Sequence, residues 1–354
     1  MPGGSNDNPA PISLSKVDGD RVIDIHDISV ILSYERGTTE PRFRHTKLRE
    51  VATTSEFRTI QMLASHWTDA DPNNRTGIVF DRIPDAYQTE DPDLPTNMTH
   101  WDPEPSTRDL TPKQLETCYW QARNHDGCFR TVTLLQHFFD LLPFDTPIRI
   151  RTASPVNHAS GSSGTSAKKA PVEYVTLACR RKIVEFYITN VKHLTAAIVF
   201  PDNKTYITGA TKTPHAVIGF SRPEEDIDTI LDLSALQFGD AGRGYKGNDF
   251  FVFEPIQDYV STRLPKYGES NTFKTAKVSE FIGPAPDDEF LIDVAQRAKK
   301  RWENRKQVPF CAYCGAPPRD GEQMAKCSGC KEVFYCSLEH QRNSWPFHKL
   351  FCKR

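Results

Sequence analysis

The stretch between residues 311 and 352 constrains this chain more than any other, because it gathers six of the nine cysteines and pairs them with two histidines. In order they are Cys311, Cys314, Cys327, Cys330, Cys336, His340, His348 and Cys352. The spacing reads C-x2-C, C-x2-C, C-x3-H and H-x3-C. A tetrahedral zinc site takes four nitrogen or sulfur ligands, so eight donors make two sites. Each C-x2-C knuckle can offer two thiolates to one ion. Residues four apart lie on one helical face, so Cys336/His340 and His348/Cys352 can each supply two more corners, on two short helices. Pairing neighbouring knuckles and pairing alternate segments are both open to the ligand order. Alternation ties all four segments together, which suits a short stretch with few large apolar side chains. The expected sites are then Cys311, Cys314, Cys336 and His340, and Cys327, Cys330, His348 and Cys352. With every donor used, no position is left for a catalytic water, so two structural Zn2+ ions are expected, and folding of the stretch should depend on them. Thiols gathered on metal, rather than spread as disulfides, imply a reducing compartment, nuclear or cytoplasmic.

Around these ligands stand Tyr335-Cys336-Ser337, Gln341, Trp345, His348-Lys349 and Cys352. In that order and spacing, residues 311–352 resemble the MYND-type zinc finger. The resemblance implies a cross-braced two-zinc module that binds a protein or short peptide partner, often one containing proline. One position departs from the pattern: the family usually has Cys where this chain has His340. Imidazole is also a zinc ligand, so the site is expected to survive as Cys3His. Trp345, Phe347 and Phe351 are candidate peptide contacts, although core packing is the expected role of Trp345. The resemblance carries nothing to the first 300 residues.

A formal net charge of −2 gives no field that would draw nucleic acid or an anionic membrane. The basic run "RAKKRWENRK" reads as a solvated helix face. No apolar run is long enough to span a bilayer, and the N-terminus lacks the basic head and apolar stretch of a secretory signal. Residues 1–20 read as a disordered tail, 21–285 as an α+β main domain with N-proximal helices and an antiparallel sheet, 286–306 as a linking helix, and 307–354 as the finger. The finger is expected to fold as a separate unit. "RVIDIHDISVILSYE" is β-branched and reads as a strand or hairpin, and 54–67 has helical spacing. Residues 68–110 read as a long irregular connection, and 157–170 as a flexible insertion. Two helices are marked by their caps: one begins at Thr111-Pro112 with Gln114 closing a capping box, and one follows Asp126-Gly127 across 128–142. The chain then turns to successive strands.

A weaker constellation lies in this main domain. Cys128 starts a helix, where the macrodipole favours a thiolate. His215 opens the strand "HAVIGF", and Asp232 lies in "ILDLSALQF", so two neighbouring strands can set imidazole beside carboxylate. Gln121 is a candidate oxyanion donor. The chain order Cys128, His215, Asp232 resembles papain-like and transglutaminase-like cysteine hydrolases, which implies a thiol hydrolase or acyltransferase to which the finger recruits substrate. The plainer expectation is that Cys128 packs in the core, as do Cys118 in its helix and Cys179 in its strand. The two functional readings are therefore a non-enzymatic adaptor and a thiol enzyme.

Overall fold

The computed structural model describes residues 21–52, 71–100, 102–103, 105–154, 171–208, 212–222, 225–269, 274–319 and 321–353. The tail 1–20, the helical pattern at 54–67 and the insertion 157–170 lie outside the described residues.

The chain runs from β1 (Ile23–Asp24) into α1 (Ile25–Thr39), then β2 (Thr46–Ala52) and β3 (Arg75–Arg82). Helices α2 (Pro112–Arg123) and α3 (Gly127–Asp140) precede β4 (Pro147–Thr152), β5 (Val172–Leu177), β6 (Arg181–Thr189), β7 (Leu194–Phe200) and β8 (Lys204–Thr208). Next come β9 (Lys212–Ser221), β10 (Ile227–Asp232), β11 (Val252–Pro255) and β12 (Lys274–Ser279), then α4 (Asp288–Glu303). The finger contributes β13 (Ala325–Lys326), β14 (Phe334–Tyr335) and α5 (Leu338–Phe351). The fold is α+β. Its five-stranded sheet, ordered β11-β10-β9-β6-β12, is antiparallel throughout. A four-stranded sheet β2-β3-β7-β8 and a three-stranded sheet β1-β4-β5 each contain one parallel pair.

The caps that mark α2 form as expected. The Gln114 amide N–H donates to Thr111 Oγ1 at 3.3 Å, and the Thr111 N–H donates to Gln114 Oε1 at 2.9 Å. Two readings are corrected. "RVIDIHDISVILSYE" is a helix over most of its length, because Asp24 caps it (Asp27 N–H to Asp24 Oδ1, 3.1 Å) and α1 is buried on nearly every side. A helix buried all round has no apolar stripe to reveal it, and tertiary packing overrides its β-branched composition. Within the supposed irregular connection, Arg75–Arg82 is a strand, held between β2 and the parallel β7.

Residues 286–306 do more than link. Leu291, Val294, Ala295, Ala298 and Trp302 of α4 share one apolar core with α1, α3 and the large sheet. The basic face is only partly solvated: Arg297 and Arg301 both pair with Glu35 of α1, each at 2.8 Å. The finger is likewise joined to the rest. Cys311, Tyr313, Cys327 and Tyr335 sit in one buried cluster with Tyr119, Trp120 and Phe250. Gly315 shows why close docking is possible. Its φ of +78° is left-handed, and a Cβ there would lie 2.6 Å from the Val30 carbonyl oxygen of α1. Such contacts weigh against the expectation of a finger that folds without its neighbour.

Leu291 is fully buried. Leu291→Ala should therefore destabilise the whole chain by about 2–5 kcal/mol in urea unfolding. A mere linking helix would lose less than about 0.5 kcal/mol.

Candidate metal centre

Each finger site draws on a knuckle and on one end of α5. Ser337 caps the helix, its Oγ accepting the His340 N–H at 3.1 Å, so Cys336 stands just outside the first turn and His340 just inside. His348 lies in the last turn and Cys352 is the C-cap residue. The two expected short helices are thus one continuous helix whose two ends serve different sites.

The ligand atoms of Cys311, Cys314, Cys336 and His340 lie within 4.8 Å of one another, as do those of Cys327, Cys330, His348 and Cys352. The pairing is alternate, so the module is cross-braced. A zinc ion with bonds of about 2.3 Å to sulfur and about 2.0 Å to nitrogen sets tetrahedral edges of about 3.8 Å between sulfurs and about 3.5 Å from sulfur to nitrogen. Cys314 and Cys336 are 3.7 Å apart at sulfur, and Cys327 and Cys352 3.8 Å. Cys311 Sγ lies 3.6 Å from His340 Nδ1, and Cys330 Sγ lies 3.6 Å from His348 Nε2. Two further edges, Cys336 to His340 at 3.0 Å and Cys327 to His348 at 3.3 Å, are tighter. The donor sets fit two structural zinc ions, each Cys3His. His340 turns Nδ1 and His348 turns Nε2 towards the sulfurs of its cluster.

Outside the ligands, the three aromatic candidates separate. Trp345 is 37% exposed and lines a groove of about 430 Å3 with Cys327, Ser328, Gly329, Gln341 and Arg342. Core packing is therefore not its role. Phe347 is buried instead, stacked at 4.3 Å on His26 of α1, and Phe351 packs beside it under Arg151.

Residues 311–352 match the family model for the MYND finger. This segment is a MYND finger. "N-lysine methyltransferase SMYD2" from Bos taurus is 32% identical over 76 residues, which is 22% of this chain and 14% of that protein. The Homo sapiens protein of that name is 45% identical over 76 residues, with the same coverage of 22% and 14%. "Egl nine homolog 1" from Homo sapiens is 43% identical over 44 residues, 12% of this chain and 9% of that one. The match thus spans 14% or less of the length of these three relatives. No solved structure matches the chain. The likeness of the main domain to papain-like and transglutaminase-like hydrolases has no counterpart among these matches. Among the described residues, no helix is long and apolar enough to cross a membrane.

In the main domain, Leu231 pairs with Ile218, which puts Asp232 diagonally across from His215 on the same face of β9 and β10. His215 Nε2 and Asp232 Oδ2 are 2.8 Å apart and fully buried. Burial disfavours the imidazolium, but Asp232 overcomes this, and the His215 pKa is raised to about 10. Tyr259 also donates to Asp232 Oδ2, at 3.0 Å, while the Ser234 N–H and hydroxyl hold Oδ1 at 3.1 and 3.0 Å. Cys128, second residue of α3, is near enough to help raise the His215 pKa, and its thiol donates to the Pro214 carbonyl oxygen at 3.7 Å. Gln121 is otherwise engaged: its amide donates to Thr195 Oγ1 at 2.5 Å. Cys118 is buried, and burial pushes its thiol up to about 12. Cys179 is a correction, since it lies in a half-buried turn between β5 and β6 rather than within a strand.

His340→Ala should leave one site with three protein ligands and lower its zinc affinity, while His340→Cys should keep two zinc ions per chain. Native mass spectrometry during titration with a chelator checks both. Equal retention of zinc by His340→Ala and the unaltered chain would remove His340 from the ligand set.

Proposed function

We propose that this chain is a zinc-dependent adaptor whose C-terminal finger docks a short proline-containing peptide. The groove beside α5 carries the reading. It offers the exposed ring of Trp345 next to the polar side chains of Gln341, Arg342 and Ser328. An aromatic ring flanked by hydrogen-bonding groups suits a polyproline-like segment, which presents apolar rings and unpaired carbonyls. Both walls of the groove depend on metal: Cys327 belongs to the second knuckle, and Gln341 and Trp345 lie on the helix that the two sites clamp. The relatives named as methyltransferases share only a short stretch with this chain, so the interaction role is carried over and methyl transfer is not. A pull-down with immobilised proline-containing peptides tests the reading. Trp345→Ala should weaken capture by at least about tenfold, as an aromatic anchor does, with both zinc ions retained. Unchanged capture by Trp345→Ala would contradict the reading.

A second reading has its own support in the Cys128, His215 and Asp232 cluster. Asp232, saturated with hydrogen bonds, acts as a positioning residue that holds His215 Nε2, so that Nδ1 faces Gln237 at 3.4 Å on the side away from the carboxylate. On a small activated ester, Cys128 attacks the carbonyl carbon as a thiolate, its proton already held on the His215 imidazolium that Asp232 favours. The ester C–O bond breaks, and the alcohol leaves with that proton. Water then attacks the thioester, gives its proton to His215, and the C–S bond breaks to release acid and regenerate the thiol. With p-nitrophenyl acetate the expected result is acetylation of Cys128, lost in Cys128→Ser and slowed roughly 100-fold in His215→Gln. Acetylation confined to other residues, or unaffected by His215→Gln, would overturn this reading.

A further inference from the structure

The loop from Ser234 to Phe251 touches both functional regions. At its start, Gln237 Nε2 lies 3.4 Å from His215 Nδ1, and the Phe238 ring packs edge-on against the His215 ring at 5.4 Å. These two side chains wall the imidazole. At its far end the same loop bears the finger. Tyr313, inside the first knuckle, donates its hydroxyl to the Asn248 carbonyl oxygen at 3.1 Å and stacks edge-on against Phe250 at 4.7 Å. Tyr245 packs on Phe347 of α5 at 5.9 Å.

Between the two ends the loop is folded tightly on itself. A Cβ on Gly242 would collide with the Ala235 backbone, and one on Gly244 with the Phe251 carbonyl, so the beginning and end of the loop touch its middle. Arg243 pins this middle to α2, pairing with Glu116 at 2.9 Å and receiving support from Thr117 at 2.8 Å. Glu116 also accepts the Tyr313 hydroxyl, at 2.8 Å. Tyr313 in turn faces the ring of the ligand His340 at 4.8 Å. A closely packed unit of this kind shifts as a body rather than bending locally.

We infer that the first zinc knuckle, through Tyr313, holds this loop closed over His215 and Cys128, so that the state of the finger governs access to the buried thiol. The inference concerns regulation of the site in the second reading above, yet its test reads only access and does not need the thiol to be catalytic. Cys128 is 5% exposed, and the loop abuts the start of its helix: a Cβ on Gly127 would lie 3.5 Å from Ser234 Cβ. When site one is emptied or the Tyr313 hydroxyl is removed, the loop loses its outer anchor and opens more often.

The probe is N-ethylmaleimide on the full zinc-loaded chain, with labelling of each cysteine read by peptide mass spectrometry. Tyr313→Phe keeps the ring against His340 and should keep both zinc ions, while removing the bonds to Asn248 and Glu116. Labelling of Cys128 should rise about tenfold in this variant, as expected from losing one buried hydroxyl proton shared between the Glu116 carboxylate and the Asn248 carbonyl. Chelation of the unaltered chain should raise it further, and amide hydrogen exchange in β6 and β9 of Tyr313→Phe should stay unchanged. Equal Cys128 labelling in the unaltered and Tyr313→Phe chains overturns the inference. So does a rise accompanied by faster amide exchange throughout β6 and β9, because that marks general unfolding. Acetylation of Cys128 without any response to Tyr313→Phe would sink the coupling and leave the second reading standing. A response to Tyr313→Phe in a chain inert to the ester would do the reverse.

Discussion

Two clusters of three sulfurs and one imidazole nitrogen hold the C-terminal module in shape. The segment has few buried large apolar groups of its own beyond Tyr313, Tyr335 and Phe347, and short stretches of this kind do not bury enough surface to fold unaided. Metal bonds replace that missing core. Because the pairing is alternate, neither ion can leave without loosening a knuckle and one end of α5. The groove beside Trp345 and the contact of Tyr313 with α2 both follow from this bracing.

Docking extends the effect beyond the finger. Gly315 lets the first knuckle lie against the backbone of α1, and Arg301 of α4 donates to the Gly315 carbonyl oxygen while pairing with Glu35. Phe347 stacks on His26, and Cys311 joins the cluster around Trp120. The finger therefore completes part of the main domain's apolar interior. The polar contacts at this boundary are concentrated where loss of a partner costs most: Arg243, Glu116 and Tyr313 are all buried, and each depends on the others for hydrogen bonds.

How much could be read from sequence depended on range. The eight ligands were legible from their spacing, whereas ligand order left two pairings open, and the alternate one was reached from the need to tie a short, core-poor stretch together and from the family resemblance. The starts of α2 and α3 were legible because Thr111, Gln114 and Asp126-Gly127 are local signals. Helix α1 was not, since it is buried on all sides and rich in β-branched residues. Strand β3 was hidden among proline, asparagine and aspartate, and its parallel partner β7 lies more than 100 residues away. Trp345 was misplaced for a similar reason. Whether an aromatic ring on a short helix faces inward depends on what the helix docks against, and here Phe347 takes the inward position. The His215 and Asp232 juxtaposition was readable from adjacent strands. The loop that covers it, and its hold on the finger, are set by contacts such as Tyr313 to Asn248 that no local pattern encodes.

The central claim is that both sites are filled by zinc bound to three thiolates and one imidazole. Zinc K-edge X-ray absorption on the purified full chain measures this directly. The account predicts an average shell of three sulfurs at about 2.3 Å and one nitrogen at about 2.0 Å per zinc. A shell of four sulfurs, or one containing water oxygen in place of nitrogen, would contradict it.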